Sequence, residues 1–426
     1  MGIQLAGGAR RQCVMRQFFK HPRAIERFRT GPLGGHIDRF AGLLFEQGYS
    51  RVYARNKLWV LRDLGRWLDR HGLCVAQLDE RRLADFARDR TRRGRLLKPG
   101  SGPMLEKFLA HVRESGAVPA PPAILPRDAK SRLECAFAEY LEKERGVCRA
   151  TIENYLHEIS RFLAHRCRRE PLSPSRIKAK TLNAFVLHRA RQVRPRRAKL
   201  TVTALRSFCQ FLRFRGDLTQ DLSGAILTVP NWRLTSVPSS LTPEQVRQLL
   251  SQCDQRTATG QRNFTILLIL ARLGLRASEI MLMTLDDIDW EAGEIVVRGK
   301  GARHERLPLP RDVGEAIATY LRCWRPRCAT RRLFVRLKAP IRGFRTYEAV
   351  SSIVKRALAH AGLRPPKRGA HLLRFTLATN LLRRGGSLAE VAEILRHRHP
   401  DTTALYAKVD LHALRTIAPR WLGGRR

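Results

Sequence analysis

Apolar residues recur at three- and four-residue steps along most of the chain, the mark of helices that bury one face. The pattern is clear in "SRLECAFAEYLEKERGVCRATIENYLHEISRFLAHR", where Leu156, Ile159, Phe162 and Leu163 share a face. Further helical stretches are "HIDRFAGLLFEQG" and "VYARNKLWVLRDLGRWLDRHG" upstream and "KLTVTALRSFCQFLRFRG" downstream. One segment changes period. In "GEIVVRGKGARHERLPLP", Ile295 to Val297 includes β-branched residues, "GKG" supplies turn residues and "RLPLP" returns, which predicts a hairpin. The expected fold is mainly α, with a small β-sheet set among the helices of the C-terminal part.

Breakers divide this pattern into three blocks. The prolines of "SGAVPAPPAILPRDAK" cannot continue a helix and mark one linker; "LTVPNWRLTSVPSS" marks a second. The blocks are a helical N-terminal domain at 1–120, a small helical domain at 127–228 and a larger domain at 240–426. The last opens on Thr242 as N-cap, Pro243 at the first helical position and Gln245 in the capping-box place. Leu43, Glu46, Gly48, Asn56 and Leu58 recur 98 residues later as Leu141, Glu144, Gly146, Asn154 and Leu156. Either a small helical DNA-binding unit is duplicated, or two unrelated helical hairpins share a periodicity.

Charge changes the picture most. Among 426 residues, 81 Lys and Arg stand against 37 Asp and Glu, a formal net charge of +44. Such a chain attracts polyanions, binding phosphate backbones by counterion release, and the arginine fork suits phosphate oxygens. The basic residues interleave with apolar ones, which favours folded nucleic-acid-binding domains over a basic tail. A compositional arginine bias inflates the count without accounting for all of it. The nine cysteines are scattered with no C-x-x-C pair, so neither a zinc ribbon nor a disulfide framework is expected. No apolar run approaches the roughly 20 residues of a membrane span. "MGIQLAGGARRQCVMRQFF" has neither the apolar run of a signal peptide nor the Ser/Thr of a myristoylation signal. A cytoplasmic protein is expected.

Breaking a DNA phosphodiester without a metal needs cationic donors on the non-bridging oxygens, a nucleophile for phosphorus and an acid for the departing oxygen. The third block holds a candidate for each role. Arg276 sits in "GLRASE", Lys300 in "GKGARHERLPL", His371 and Arg374 one turn apart in "HLLRFTLATNLL", His397 in "LRH" and Tyr406 in "TTALY". Each alone has an ordinary reading: solvated arginines, a common turn, a helix-start imidazole, a half-buried tyrosine. "GKG" lacks the spacing of a phosphate-binding P-loop.

In this order, with a tyrosine nine residues after the second histidine, the segments resemble the tyrosine recombinase (phage integrase) family. Its pattern runs "G-L-R-x-S-E", a lysine hairpin, "H-x-L-R-H-x-x-A-T", "L-G/R-H" and the tyrosine. The resemblance implies that Arg276 and Arg374 clamp the scissile phosphate while His371 and His397 bond its non-bridging oxygens. Lys300 protonates the 5′ leaving group, and Tyr406 forms a 3′-phosphotyrosine. No metal, other cofactor or ATP is implied. The partner is double-stranded DNA, bound as a tetramer on paired sites and in some members beside sister recombinases. The 127–228 block resembles the family's core-binding domain, and the long form resembles recombinases of mobile elements.

Two departures stand out. Phe375 occupies the place of a histidine beside the second arginine, and Arg303 and His304 follow the hairpin where a further lysine is common. Beyond the tyrosine, Leu411, Leu414, Ile417 and Trp421 keep a helical step, and the resemblance implies a tail that docks on a neighbouring protomer. Two other functions use the same features: a type IB topoisomerase-like enzyme that only relaxes DNA, and a non-catalytic basic DNA-binding protein.

Overall fold

A computed structural model describes residues 14–120, 128–167, 173–230, 239–299, 304–397 and 403. The linker positions 121–127 and 231–238, the hairpin tip with Lys300 and Arg303, and Tyr406 with the tail after it lie outside the described residues. Cα packing divides the chain into two compact units, Met1–Ala120 with Ser236–Arg426, and Pro121–Thr235.

The N-terminal part of the first unit is all helical: α1 (Pro22–Arg29), α2 (Gly34–Glu46), α3 (Arg51–Arg70), α4 (Glu80–Arg92) and α5 (Ser101–Glu114). α3 begins where the Ser50 hydroxyl accepts from the Tyr53 N–H, and α4 where Asp79 accepts from Arg82. Their apolar stripes close on Phe40, Leu58, Leu61, Leu64 and Phe108, each with no exposed surface. Burying each such side chain contributes about 1.5–3 kcal/mol.

The C-terminal part of the same unit holds α10 (Pro243–Ser251), α11 (Ala258–Leu273), α12 (Ala277–Leu282), α13 (Arg311–Thr319), α14 (Glu348–His360), α15 (Ala370–Arg383) and α16 (Leu388–Ile394). The capping box at α10 forms as the sequence predicts: Thr242 Oγ1 accepts from the Gln245 N–H, and Gln245 Oε1 accepts from the Thr242 N–H. The hairpin forms too. β2 (Glu294–Arg298) and β3 (His304–Pro308) pair antiparallel with Ile295 opposite Leu307, and the short β1 (Ile288–Asp289) adds a third strand on the other side of β2. Ile295 and Val297 point into the core and their neighbours outward, the alternation of a one-sided sheet. The two parts keep separate apolar cores, yet they touch: the Ile341 N–H donates to the Gln47 carbonyl at 2.8 Å, and Ile341 packs where a side chain on Gly48 would sit.

The second unit is a bundle of α6 (Ala129–Lys143), α7 (Arg149–Cys167), α8 (Ala179–Gln192) and α9 (Pro195–Phe214). Ile159, Phe162 and Leu163 lie in its core, while Leu156 packs at the edge. Buried among them is Glu158, which accepts from Arg189, Arg197 and the Thr201 hydroxyl. Burial alone would raise its pKa, but that hydroxyl and the two guanidiniums outweigh it and hold the carboxyl below its usual range. Among the described residues no helix is long and apolar enough to cross a membrane.

Candidate active site

Arg276 is the N-cap of α12, where one carboxylate fixes it twice. The Arg276 N–H donates to Glu279 Oε2 at 2.8 Å, and its Nη1 donates to Oε1 at 2.6 Å. Glu279 is buried and also takes Nη2 of Arg396 at 2.8 Å. One acid therefore aligns two guanidiniums, and Arg276 Nη2 reaches the Arg396 carbonyl at 3.3 Å. The Arg276 side chain stays 34% exposed, so this cation faces outward.

Arg374 lies in the buried stripe of α15. Nη1 donates to the Gly274 carbonyl at 2.6 Å and Nη2 to that of Leu395, so two neutral acceptors hold the fork in place. Gly274 has φ +58°, and a Cβ there would come within 2.9 Å of both Leu377 and Leu395. The glycine before Leu275 and Arg276 is thus required by conformation and by close packing. Gly274→Ala is expected to lower stability by about 1–3 kcal/mol, measured by denaturant unfolding. An unchanged midpoint would show that the backbone carries no such constraint.

His397 follows α16 and joins the same cluster. Its Nδ1 lies 2.9 Å from the hydroxyl of Thr403, a buried residue. Burial, with Arg374, Arg276 and Arg396 nearby, lowers the imidazole pKa to about 4, so the ring is neutral at physiological pH. Because the folded ring resists a proton that the unfolded chain accepts near 6.5, this group removes stability as pH falls from about 6.5 toward 4. NMR titration of the free protein should place the His397 midpoint near 4, rising when an anion enters. A midpoint near 6.5 in the free protein would mean the ring is solvated.

His371 sits exposed in the first turn of α15, on the helix that carries Arg374. Its ring centroid is 6.3 Å from that of Phe375, over which the Lys367 ammonium lies at 5.8 Å. An aromatic face thus stands where the related pattern has an imidazole. Lys300 and Tyr406 are outside the described residues, but both strands of the Lys300 hairpin are described. Glu305 of β3 takes Nε of Arg396 at 3.2 Å, tying that hairpin to the arginine cluster, and His304 begins β3 at the surface.

Three residues escaped the sequence reading in these roles: Glu279 as the shared anchor, Arg396 as the bridge between Glu279 and Glu305, and Thr403 as the partner of His397. Arg396 carries φ +55°, a left-handed conformation that costs a non-glycine residue about 1–3 kcal/mol. Its ion pairs with Glu279 and Glu305 offset that strain. Among the described residues, no group of three or more His, Cys, Asp or Glu could hold a metal ion. What gathers here is three guanidiniums and a neutral imidazole around one buried carboxylate, an excess of positive charge suited to a phosphodiester.

Residues 239–412 match the phage integrase family model, and residues 135–216 match the SAM-like N-terminal domain of phage integrases. The chain is 41% identical over 411 residues to the Sinorhizobium fredii protein y4rA, provisionally named an integrase/recombinase, covering 96% of this chain and 99% of that one. It is 29% identical over 292 residues to the tyrosine recombinase XerC of Anoxybacillus flavithermus, covering 66% of this chain and 94% of XerC. In fold it is similar to the XerH site-specific recombinase bound to palindromic difH substrate, with TM-score 0.53 and 19% identity over 86% of this chain and 96% of that one. The chain belongs to the tyrosine recombinase (phage integrase) family.

Proposed function

We propose that this protein is a site-specific DNA recombinase that cleaves and rejoins double-stranded DNA through a 3′-phosphotyrosine. One observation carries the reading: Arg276 and Arg374, up to 121 positions from His397 in sequence, lie close enough to act on its imidazole, and Arg396 joins Arg276 to the strand that follows Lys300. Arg276 and Arg374 grip the two non-bridging oxygens. His397 meets the phosphate through Nε2, its Nδ1 being engaged by Thr403, and His371 assists proton movement from the first turn of α15. Lys300 delivers a proton to the 5′ oxygen as Tyr406 attacks phosphorus. The phosphotyrosine keeps the bond energy of the phosphodiester, so rejoining to a new strand needs neither ATP nor a metal.

The three-block division follows the same reading. Residues 240–426 carry the chemistry, 127–228 close over the DNA as a core-binding domain, and 1–120 form an additional helical domain. Recombination between two sites joins four strand ends, which calls for a tetramer, with sister recombinases as a variant and the segment after Tyr406 docking on a neighbouring protomer. A cytoplasmic location and a mobile-element role accord with this chemistry and with the long form of the chain.

The decisive experiment traps the protein on a nicked suicide DNA substrate and maps the modified residue by mass spectrometry. A phosphotyrosine at Tyr406 is expected. A link at any other residue overturns the assignment, and products that are only relaxed topoisomers overturn recombination in favour of a topoisomerase.

A further inference from the structure

We infer that residues 34–118 are a second copy of the helical fold at 128–218, and that this copy holds double-stranded DNA at the basic junction between its last two helices. The inference rests on the reading that the chain acts on DNA.

Both segments run through the same elements. α2, α3, a single 3-10 turn at Val75–Gln77, α4 and α5 are matched by α6, α7, a 3-10 turn at Pro174–Arg176, α8 and α9. The buried positions keep register. Leu61 and Leu64 correspond to Ile159 and Phe162 at a separation of 98, and Leu83 and Phe86 to Leu182 and Phe185 at 99. Leu105 and Phe108 correspond to Leu205 and Phe208 at 100. The separation grows only in the connections, as expected of a duplication that has gained single residues in its loops.

Three other matches accompany this register. Two of the five left-handed glycines of the first copy recur, Gly48 and Gly146 at φ +71° and +56°, Gly116 and Gly216 at +74° and +81°. Their separations are again 98 and 100. A buried hydroxyl lies in the last helix of each copy at a separation of 100, Ser101 as the first residue of α5 and Thr201 as the seventh of α9. Each bonds a charged residue of the long helix at 2.8 Å, Lys57 donating to Ser101 and Glu158 accepting from Thr201, from positions three residues apart in the shared register. Lys57 also donates to the Pro99 carbonyl at 2.9 Å, so this contact anchors the chain that joins the last two helices.

That junction is where the copies agree in charge. Residues 88–98 hold six Lys and Arg with one Asp, and residues 188–199 hold six with no Asp or Glu. Arg92, Arg95 and Lys98 are exposed in the first copy, as are Arg191, Arg194 and Arg196 in the second. Exposed basic positions recur elsewhere as well, Arg51 with Arg149 and Arg81 with Lys180, whereas Arg55 and Arg66 of α3 face Glu153 and Ala164 at the equivalent places. An exposed basic edge at the same junction of both copies points to a phosphate backbone as the ligand of both.

The test uses the full chain, mixed-sequence duplex DNA carrying a fluorophore, and two charge-matched double variants. Arg92→Glu/Arg95→Glu is expected to weaken binding at least about tenfold and to flatten the salt dependence by roughly 0.9 per lost phosphate contact. Arg55→Glu/Arg66→Glu should weaken it by no more than about threefold, the effect of net charge alone. Arg92→Ala/Arg95→Ala should lose affinity in the same direction with an unchanged melting curve, which separates lost contacts from lost folding. Unchanged affinity and salt slope in both junction variants overturn the inference, as does an equal loss in the α3 variant. Covalent trapping by the unmodified chain is read in parallel: its presence keeps the recombinase reading even where the junction inference fails, and its absence counts against that reading alone.

Discussion

Tyr406→Phe is expected to abolish the covalent protein–DNA adduct while leaving duplex affinity within about twofold, since one hydroxyl among many phosphate contacts contributes little to binding. A phenol with an ordinary pKa of about 10 is a poor nucleophile at neutral pH. It becomes a useful one only where cations stabilise the phenolate and the charge that gathers on phosphorus. The cluster of Arg276, Arg374 and Arg396 favours that condition, because it sets three guanidiniums against two carboxylates, Glu279 between Arg276 and Arg396 and Glu305 beside Arg396. Losing a nucleophile typically costs a rate factor of roughly 10⁴ or more, beyond detection in a gel assay for the adduct. The phenyl ring preserves shape, so the variant isolates the chemistry from the fold. If Tyr406→Phe still forms the adduct, the nucleophile is another residue; if the unmodified chain forms none on suicide substrates, the basic-binding-protein reading prevails.

Arg374→Lys should slow strand cleavage by roughly 10²–10³-fold, the effect of removing one donor aimed at developing charge, with little change in DNA affinity. The substitution keeps the charge and removes the fork. Arginine spans the carbonyls of Gly274 and Leu395 with two nitrogens; a lysine ammonium, with all its donors on one atom, cannot satisfy both and also address a phosphate oxygen. Arg374→Ala goes further. It leaves those acceptors without their guanidinium, adding a stability loss of about 1–3 kcal/mol that a melting curve registers separately from rate. Single-turnover cleavage with saturating protein separates the two effects. A lysine variant that cleaves at the parental rate would show that Arg374 serves the fold alone.

Much of this arrangement is local and can be read along the chain. The Thr242–Gln245 capping box needs only residues three apart, and the Ile295–Val297 strand needs only its own alternation and a turn. Arg276, His371, Arg374 and His397 were visible through motif order, not through any local force that marks them as reactive. The contacts that orient them were not visible. Arg396 meets Glu279 across 117 positions, and Arg374 meets Gly274 across 100. The internal repeat shows the same limit: five matching residues could not separate duplication from shared periodicity, whereas a burial register kept across three helices favours duplication.

The chain's own order of apolar, turn and charged residues determined that it forms helical blocks with one hairpin, that its surface is strongly basic, and which side chains are available for phosphate chemistry. These follow from interactions over a few residues and from net charge. The tertiary structure alone decided that Glu279 aligns two arginines, that carbonyls of Gly274 and Leu395 hold the Arg374 fork, and that His397 is neutral. Those are effects of burial and of proximity between distant segments, and neither exists until the chain has closed around them.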